Sequence, residues 1–196
     1  MTDIVPSSVD IEALATFEAL VRARRTSLLV DTERAVPVEL VERLCRLAMW
    51  APNHKRTWPW RFALFTGDGR ARLGAAFAEA QAAAGVTDEA KLTKTRTKWG
   101  RAPAVLLIGS APEPDAHRTI ENGDADAAGV QNVLLAATSA GLASFWSSPP
   151  ATSARVLALA GFEPGTRLVA AIYLGWPTGA VPEPERPSPV LTVVDD

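Results

Sequence analysis

The chain has little of what several function classes require. One cysteine in 196 residues, Cys45, excludes an internal disulfide. It falls inside an apolar helical pattern and reads as a small buried hydrophobe rather than a nucleophile. Two histidines, with no Cys/His/carboxylate group at ligand spacing, leave no reason to expect a structural metal. Charge of neither sign dominates: 20 Lys and Arg against 22 Asp and Glu give a net charge of −2, and no basic stripe exists to recruit nucleic acid. No stretch approaches the roughly 20 apolar residues that span a bilayer. The opening Met1-Thr2-Asp3-Ile4-Val5 lacks a basic start and an apolar run of signal length, so a cytoplasmic protein is expected. No G-x-G-x-x-G opens a helix after a strand, and no G-x-S-x-G occurs; a Rossmann dinucleotide site and a hydrolase elbow are unsupported.

What is present is an ordinary globular composition, 47% hydrophobic and 21% charged, of a length suited to one domain over 1–196. Residues 1–9 read as a loose leader. Asp10 is placed to cap a helix whose apolar positions Ile11, Leu14, Ala15, Phe17, Leu20 and Val21 share one face. A second helix is expected from Pro37, with Leu40, Leu44, Leu47 and Ala48 as its buried stripe. Trp60–Thr66 reads as a strand closed by a Gly67-Asp68-Gly69 turn, and an alanine-rich helix follows with Leu73, Ala76, Phe77 and Ala80 in register. A short helix is expected within Thr87–Lys98, a buried strand over Ala104–Gly109, and a mostly buried helix over Asp124–Ala140 ended by Gly141. Thr152–Ala160 reads as a helix and Arg167–Gly175 as a strand. Five prolines between Pro177 and Pro189 make the end of the chain, 177–196, an extended arm that cannot join a central sheet. The β-prone Val190–Val194 beyond it has no nearby partner and suggests pairing with a second subunit. Helices first, then strands mixed with helices, point to an α+β sandwich with a helix-covered sheet.

Three segments carry chemistry. Arg24-Arg25-Thr26-Ser27 ends the first helix. Two guanidiniums and two hydroxyls suit a phosphate, while the bland alternative is complementation of the helix C-terminus. Ala51-Pro52-Asn53-His54-Lys55-Arg56-Thr57-Trp58-Pro59-Trp60 crowds cations, a histidine and tryptophans into a short loop. Such a loop either holds an anion beside a flat ring or combines a core Trp60 with solvated surface. Phe145-Trp146-Ser147-Ser148-Pro149 follows the buried helix and serves either the polar edge of a heteroaromatic ligand or a strand end with its turn.

Taken in order, these segments resemble the nitroreductase family, and within it the small, minimal-length members. Arg24-Arg25-Thr26 stands where the family has Arg-Arg-Ser, and Ala51-Pro52-Asn53-His54-Lys55 matches its Ala-Pro-(Asp/Ser)-His-Lys loop. Trp58-Pro59-Trp60 stands for Gln-Pro-Trp. Gly141-Leu142-Ala143-Ser144-Phe145-Trp146 matches the segment after the buried helix, and Leu174-Gly175-Trp176-Pro177 the Leu-Gly-x-Pro strand end. The resemblance implies an FMN-dependent sandwich with a central, mostly antiparallel sheet flanked by helices, the arm reaching the other subunit of a homodimer. It implies a two-step hydride transfer from NADH or NADPH to a nitroaromatic, quinone-like or other small organic acceptor. A dehalogenase-like reductase, a non-catalytic flavin store or sensor, and a protein-interaction module are the alternatives. By carry-over, Arg24 and Thr26 meet the phosphate and ribityl end with Arg25 nearby. Trp50 and His54 come from the loop of one subunit, Trp146, Ser147 and Ser148 contact the ring, and Arg186 in the arm adds a phosphate contact. Arg25 and the Ser147 backbone are the expected electrostatic support for reduced flavin; no protein acid or base is named. This chain departs from the pattern at Thr26 for serine, Trp58 for glutamine, Ser147 for arginine, and Leu28-Leu29 where an arginine often follows.

Overall fold

The computed structural model describes residues 10–150 and 152–195; the expected leader, 1–9, lies outside them. Helix α1 spans Ile11–Ala23, its first turn capped by the Asp10 carboxylate, which accepts from the Ala13 amide at 2.9 Å. Strand β1 is the short Val30–Asp31, and α2 spans Val38–Ala48. Strand β2 (Trp60–Thr66) leads into α3 (Asp68–Ala83) and α4 (Glu89–Thr97), and β3 is Ala104–Ser110. Helix α5 spans Ala116–Ser139, β4 Ala143–Ser147, α6 Ala154–Ala160 and β5 Arg167–Pro177.

The strands form one sheet in the order β1-β5-β3-β2, with every strand pairing antiparallel. Residues 171–174 of β5 pair with β3 and also with β4, so β4 lies along the opposite edge of β5. Period-two alternation splits each central strand between two cores. Leu106 and Ile108 of β3, with Ile172 and Leu174 of β5, face α2 and α5. Val105, Leu107 and Tyr173 face α3 and α6. Both faces are covered, which is why β3 reads as a continuous apolar run. On the second face Phe77, Trp99 and Tyr173 stack, with centroids 4.8 and 5.8 Å apart. Burial pushes the Tyr173 hydroxyl up to about 12.

Several expected boundaries shift. Pro37 caps α2 from just outside it, and Val41 rather than Leu47 completes the buried stripe, because Leu47 faces solvent. Only Gly67 is a turn residue, at φ +47°; Asp68 and Gly69 already belong to α3. Helix α5 begins eight residues before Asp124, because the Asp115 side chain caps an earlier start by accepting from the Arg118 amide at 2.8 Å. Ser153 caps α6, moving its start to Ala154. Pro177 does enter the sheet, but only at its rim, opposite Val30, where its missing N–H costs nothing. Val190–Val194 forms no strand in the single chain, and Val190, Leu191, Val193 and Val194 are exposed. Helix α1 buries none of its residues, so the apolar face read from the sequence is real but uncovered.

Candidate functional site

The exit of α1 sets the first part of the site. Arg24 turns the chain into extended backbone (φ −61°, ψ 127°), and Thr26 then forms a parallel bridge with Ser144 at the start of β4. Here Arg22, Arg24 and Arg25 line one wall of an open cleft of about 740 Å³; Gln131 of α5 and Glu183, Glu185 and Arg186 of the arm line the rest. That volume is within the usual range for small-molecule and cofactor sites. Among the described residues neither Arg24 nor Arg186 has an ion-pair partner, and Arg24 Nη1 lies 3.5 Å from the Thr26 hydroxyl. Uncommitted guanidiniums beside a hydroxyl are a donor set for a phosphate-like anion.

Arg25 is used differently. Its Nε donates to the Pro182 carbonyl at 3.2 Å, its Nη1 to the Arg22 and Arg24 carbonyls, and its Nη2 lies 3.9 Å from Glu183. Arg22 Nη2 is 3.2 Å from the same carboxylate. Together with the Thr178 amide, which donates to the Leu29 carbonyl at 2.9 Å, these contacts lay the arm across the end of α1. The arm's grip was not readable from the sequence, where Glu183 is one acid among prolines.

Strand β4 supplies the second part. Ser144 accepts from the Ser27 amide at 2.9 Å on the edge away from β5. By period two, the Trp146 N–H and C=O face that same edge, where no described strand pairs with them. The Trp146 side chain is partly exposed, and Ser147 Oγ donates to the Ser148 carbonyl at 3.4 Å. Ser144 and Trp146 are two residues apart, so the Thr26–Ser144 bridge and the open Trp146 edge lie about 7 Å from each other along one strand, while the Ser147 N–H and C=O face β5.

The third segment lies elsewhere. Trp50 follows α2 with its side chain 84% exposed. The loop closes through Asn53, which donates to Thr57 Oγ1 and accepts from the Trp58 amide, both at 2.9 Å; Thr57 in turn donates to Asn122 of α5 at 2.5 Å. Lys55, Arg56 and Trp58 are held in the left-handed region at φ +57°, +54° and +49°. Strained backbone of this kind persists only when its surroundings fix it. Trp60 is core, its indole N–H donating to the Ala125 carbonyl. His54 Nδ1 meets Glu121 Oε1 at 2.7 Å, and His117 Nε2 approaches the same oxygen at 3.4 Å. The His54 hydrogen bond holds the Glu121 carboxyl below its ordinary range.

Thus Arg24 and Arg186 line one cleft, Thr26 is bridged to Ser144 of β4, and Trp146 follows two residues along that strand, opposite Ile172, without lining the cleft. Glu121, which holds His54, precedes Gln131 of the cleft by ten residues, about 15 Å of helix. The single chain holds His54 at a level of α5 away from the cleft, whereas Trp50 follows Leu47, whose carbonyl accepts from Asn132 beside Gln131. Cys45 is half-buried, and its thiol is pushed up to about 11 by burial, which leaves it inert as a nucleophile. Among the described residues no cluster of three or more His, Cys, Asp or Glu could hold a metal, and no helix is long and apolar enough to cross a membrane.

The chain is similar to known proteins. The model of the nitroreductase family matches residues 21–176. YdjA of Escherichia coli K12, named as a putative NAD(P)H nitroreductase, is 31% identical over 163 residues, covering 82% of this chain and 87% of its own. A nitroreductase-like family protein from Bacillus cereus superposes with a TM-score of 0.75 at 24% identity, covering 91% of this chain and 96% of that one. A Bacteroides fragilis nitroreductase with bound FMN superposes at 0.73 and 19% identity, covering 91% and 98%. With a matched region that runs from the last turn of α1 to the end of β5 and takes in all three segments, this chain belongs to the nitroreductase family.

Proposed function

We propose that the protein is an FMN-dependent NAD(P)H oxidoreductase acting on small organic acceptors. The observation that carries the proposal is the pair of guanidiniums without ion-pair partners among the described residues, Arg24 and Arg186, lining one cleft of about 740 Å³, with the Thr26 hydroxyl 3.5 Å from Arg24 Nη1. The donor set fits a terminal phosphate, and the open Trp146 edge of β4, about 7 Å along the strand from the Thr26 bridge, fits the polar rim of a ring. Family membership, the FMN in the Bacteroides fragilis relative and the name of YdjA support the same reading.

Arg24 and Arg186 hold the phosphate, with Thr26 donating a hydroxyl hydrogen bond. The open Trp146 N–H would lie along the ring edge, where a donor stabilises negative charge that develops on reduction; the Ser147 N–H, expected from the sequence to share this role, instead faces β5 opposite Ala171. Trp146 packs against the ring, and Ser148 closes that end. Bound there, FMN would supply the redox chemistry that passes electrons from NADH or NADPH, in one encounter, to a nitroaromatic, quinone-like or similar acceptor in the next. Arg25 anchors the arm instead of approaching the ring, because its donors are committed to carbonyls and Glu183. A second copy of the chain brings His54 and the Trp50 loop to the site. The uncovered faces of α1 (Ile11, Leu14, Phe17) and Val190–Val194 of the arm favour such a homodimer.

An absorption spectrum of the purified protein before and after anaerobic NADH or NADPH tests this. The expected result is a yellow preparation that bleaches with at least one donor and recovers on adding a nitroaromatic. A yellow protein that neither donor bleaches is a store or sensor. A colourless protein that stays colourless in excess FMN overturns the proposal.

A further inference from the structure

The cleft that receives the phosphate in the proposed function already holds an anion of its own. Glu183 sits between two guanidiniums, 3.2 Å from Arg22 Nη2 and 3.9 Å from Arg25 Nη2, on the same surface as the uncommitted Arg24 and Arg186. Its carboxylate is delivered by a segment held at only a few points: the Thr178 amide on Leu29, the Pro182 carbonyl on Arg25, and the two ion pairs. The prolines at 182, 184 and 187 keep the segment extended and remove amides that would otherwise tie it to the body. Beyond Glu183 and its two partners, the cleft's charge is two arginines, Arg24 and Arg186, and Glu185, and Glu185 makes no ion pair among the described residues.

We infer that Glu183 is an internal competitor for the cofactor phosphate, an affinity-setting residue that occupies the Arg22–Arg25 pair and is pushed off it when a phosphorylated flavin binds. This rests on the FMN reading above. A phosphate dianion drawn to Arg24 and Arg186 enters a cleft in which a carboxylate already uses part of the positive field. Like charges a few ångströms apart repel, and the two guanidiniums cannot serve both anions at full strength. Both sides of the exchange are solvent-accessible, so the penalty is modest and salt-screened. It applies to the phosphate and not to the ring, so it separates FMN from riboflavin. Relief of the penalty requires the arm to shift, which couples cofactor occupancy to the position of residues 182–186.

The test is a fluorescence titration of the full-length protein, freed of flavin, with FMN and separately with riboflavin. Wild type, Glu183→Gln and Glu185→Gln are compared at low and at high salt. The expected result is FMN binding about fivefold to tenfold tighter in Glu183→Gln at low salt, a difference that shrinks at high salt, with riboflavin affinity unchanged and a smaller effect in Glu185→Gln. Weaker FMN binding in Glu183→Gln would show that the carboxylate positions the arginines, and would overturn the inference. An equal gain in both variants would reduce the effect to net charge and also overturn it, as would an equal gain for riboflavin. If wild type binds neither flavin, the FMN reading itself falls, and the inference with it.

Discussion

Asp126 offers a sharp test of the electrostatics, because it is a carboxylate with no exposed surface. It lies on α5, facing the ends of β3 and β5. Its Oδ2 accepts from Arg167 Nη2 at 3.3 Å, while Oδ1 has no hydrogen-bond partner of normal geometry among the described residues. Burial pushes its carboxyl up to about 6, against the opposing pull of the Ser110 hydroxyl and the Arg167 charge. An unfolded aspartate titrates near 3.9, so the folded state holds this proton more tightly by about two units, or about 3 kcal/mol. The unfolded chain therefore binds fewer protons between about pH 4 and 6, and this group's contribution to stability falls as pH rises through that window. Above the window the fold carries the full cost of a buried charge. Asp126→Asn keeps the shape and an acceptor for Arg167 but removes the ionisation. Because Arg167 is half-exposed and its field is partly screened, the expected gain is about 2 kcal/mol at pH 8, with little difference at pH 4. Urea unfolding followed by tryptophan fluorescence at the two pH values measures it. A variant no more stable than wild type at pH 8, or a difference that does not grow between pH 4 and pH 8, would refute the reasoning.

Two further outcomes follow from the same structure. Arg24→Ala removes a charged donor from the phosphate end, so FMN affinity falls about tenfold to a hundredfold, read by titration, while the urea midpoint of the flavin-free protein stays put; undiminished affinity would show that the anion sits elsewhere. Gly74→Ala places a Cβ 2.0 Å from the Arg96 carbonyl oxygen and 2.9 Å from the Trp99 ring, neither of which can yield, so α3 and α4 must separate at a cost of about 2 kcal/mol or more. Calorimetry should show Tm lowered by several degrees, and an unchanged Tm would mean that the two helices slide apart freely.

Much of this architecture was legible in the residues, for identifiable reasons. Trp60–Thr66 was bounded correctly because aromatic and β-branched residues there run into Gly67. β3 and β5 were placed because a strand buried on both faces is apolar throughout. The start of α5 was missed because its first two turns are polar and packing does not mark them; the signal was Asp115, an N-cap that was readable in principle. Strand β1 was missed because two residues carry no period. Helix α1 was read correctly as amphipathic, but periodicity says only that a face is apolar, not what covers it. At the site, Arg24 and Thr26 were legible as a donor pair, Arg186 was named only through the family resemblance, and the structure sets Arg186 on the cleft that Arg24 lines. Glu183 and Gln131 were not legible, since no local rule brings residue 183 beside residue 22. The Asn53–Thr57–Asn122 network was hidden for the same reason: its members are ordinary polar residues until the fold joins them.

The separation of His54 from the arginines then becomes informative. Helix α5 carries the His54 loop near its start, through Glu121, and the cleft near its middle, through Gln131. A rigid helix cannot fold these two levels together, and the loop's three left-handed residues are already locked by Asn53 and Asn122. In the proposed function a second copy supplies its own His54 level to this cleft, which moves neither segment. The proposed dimer would thus set beside each cleft the His54 level that the same chain carries some 15 Å away along α5.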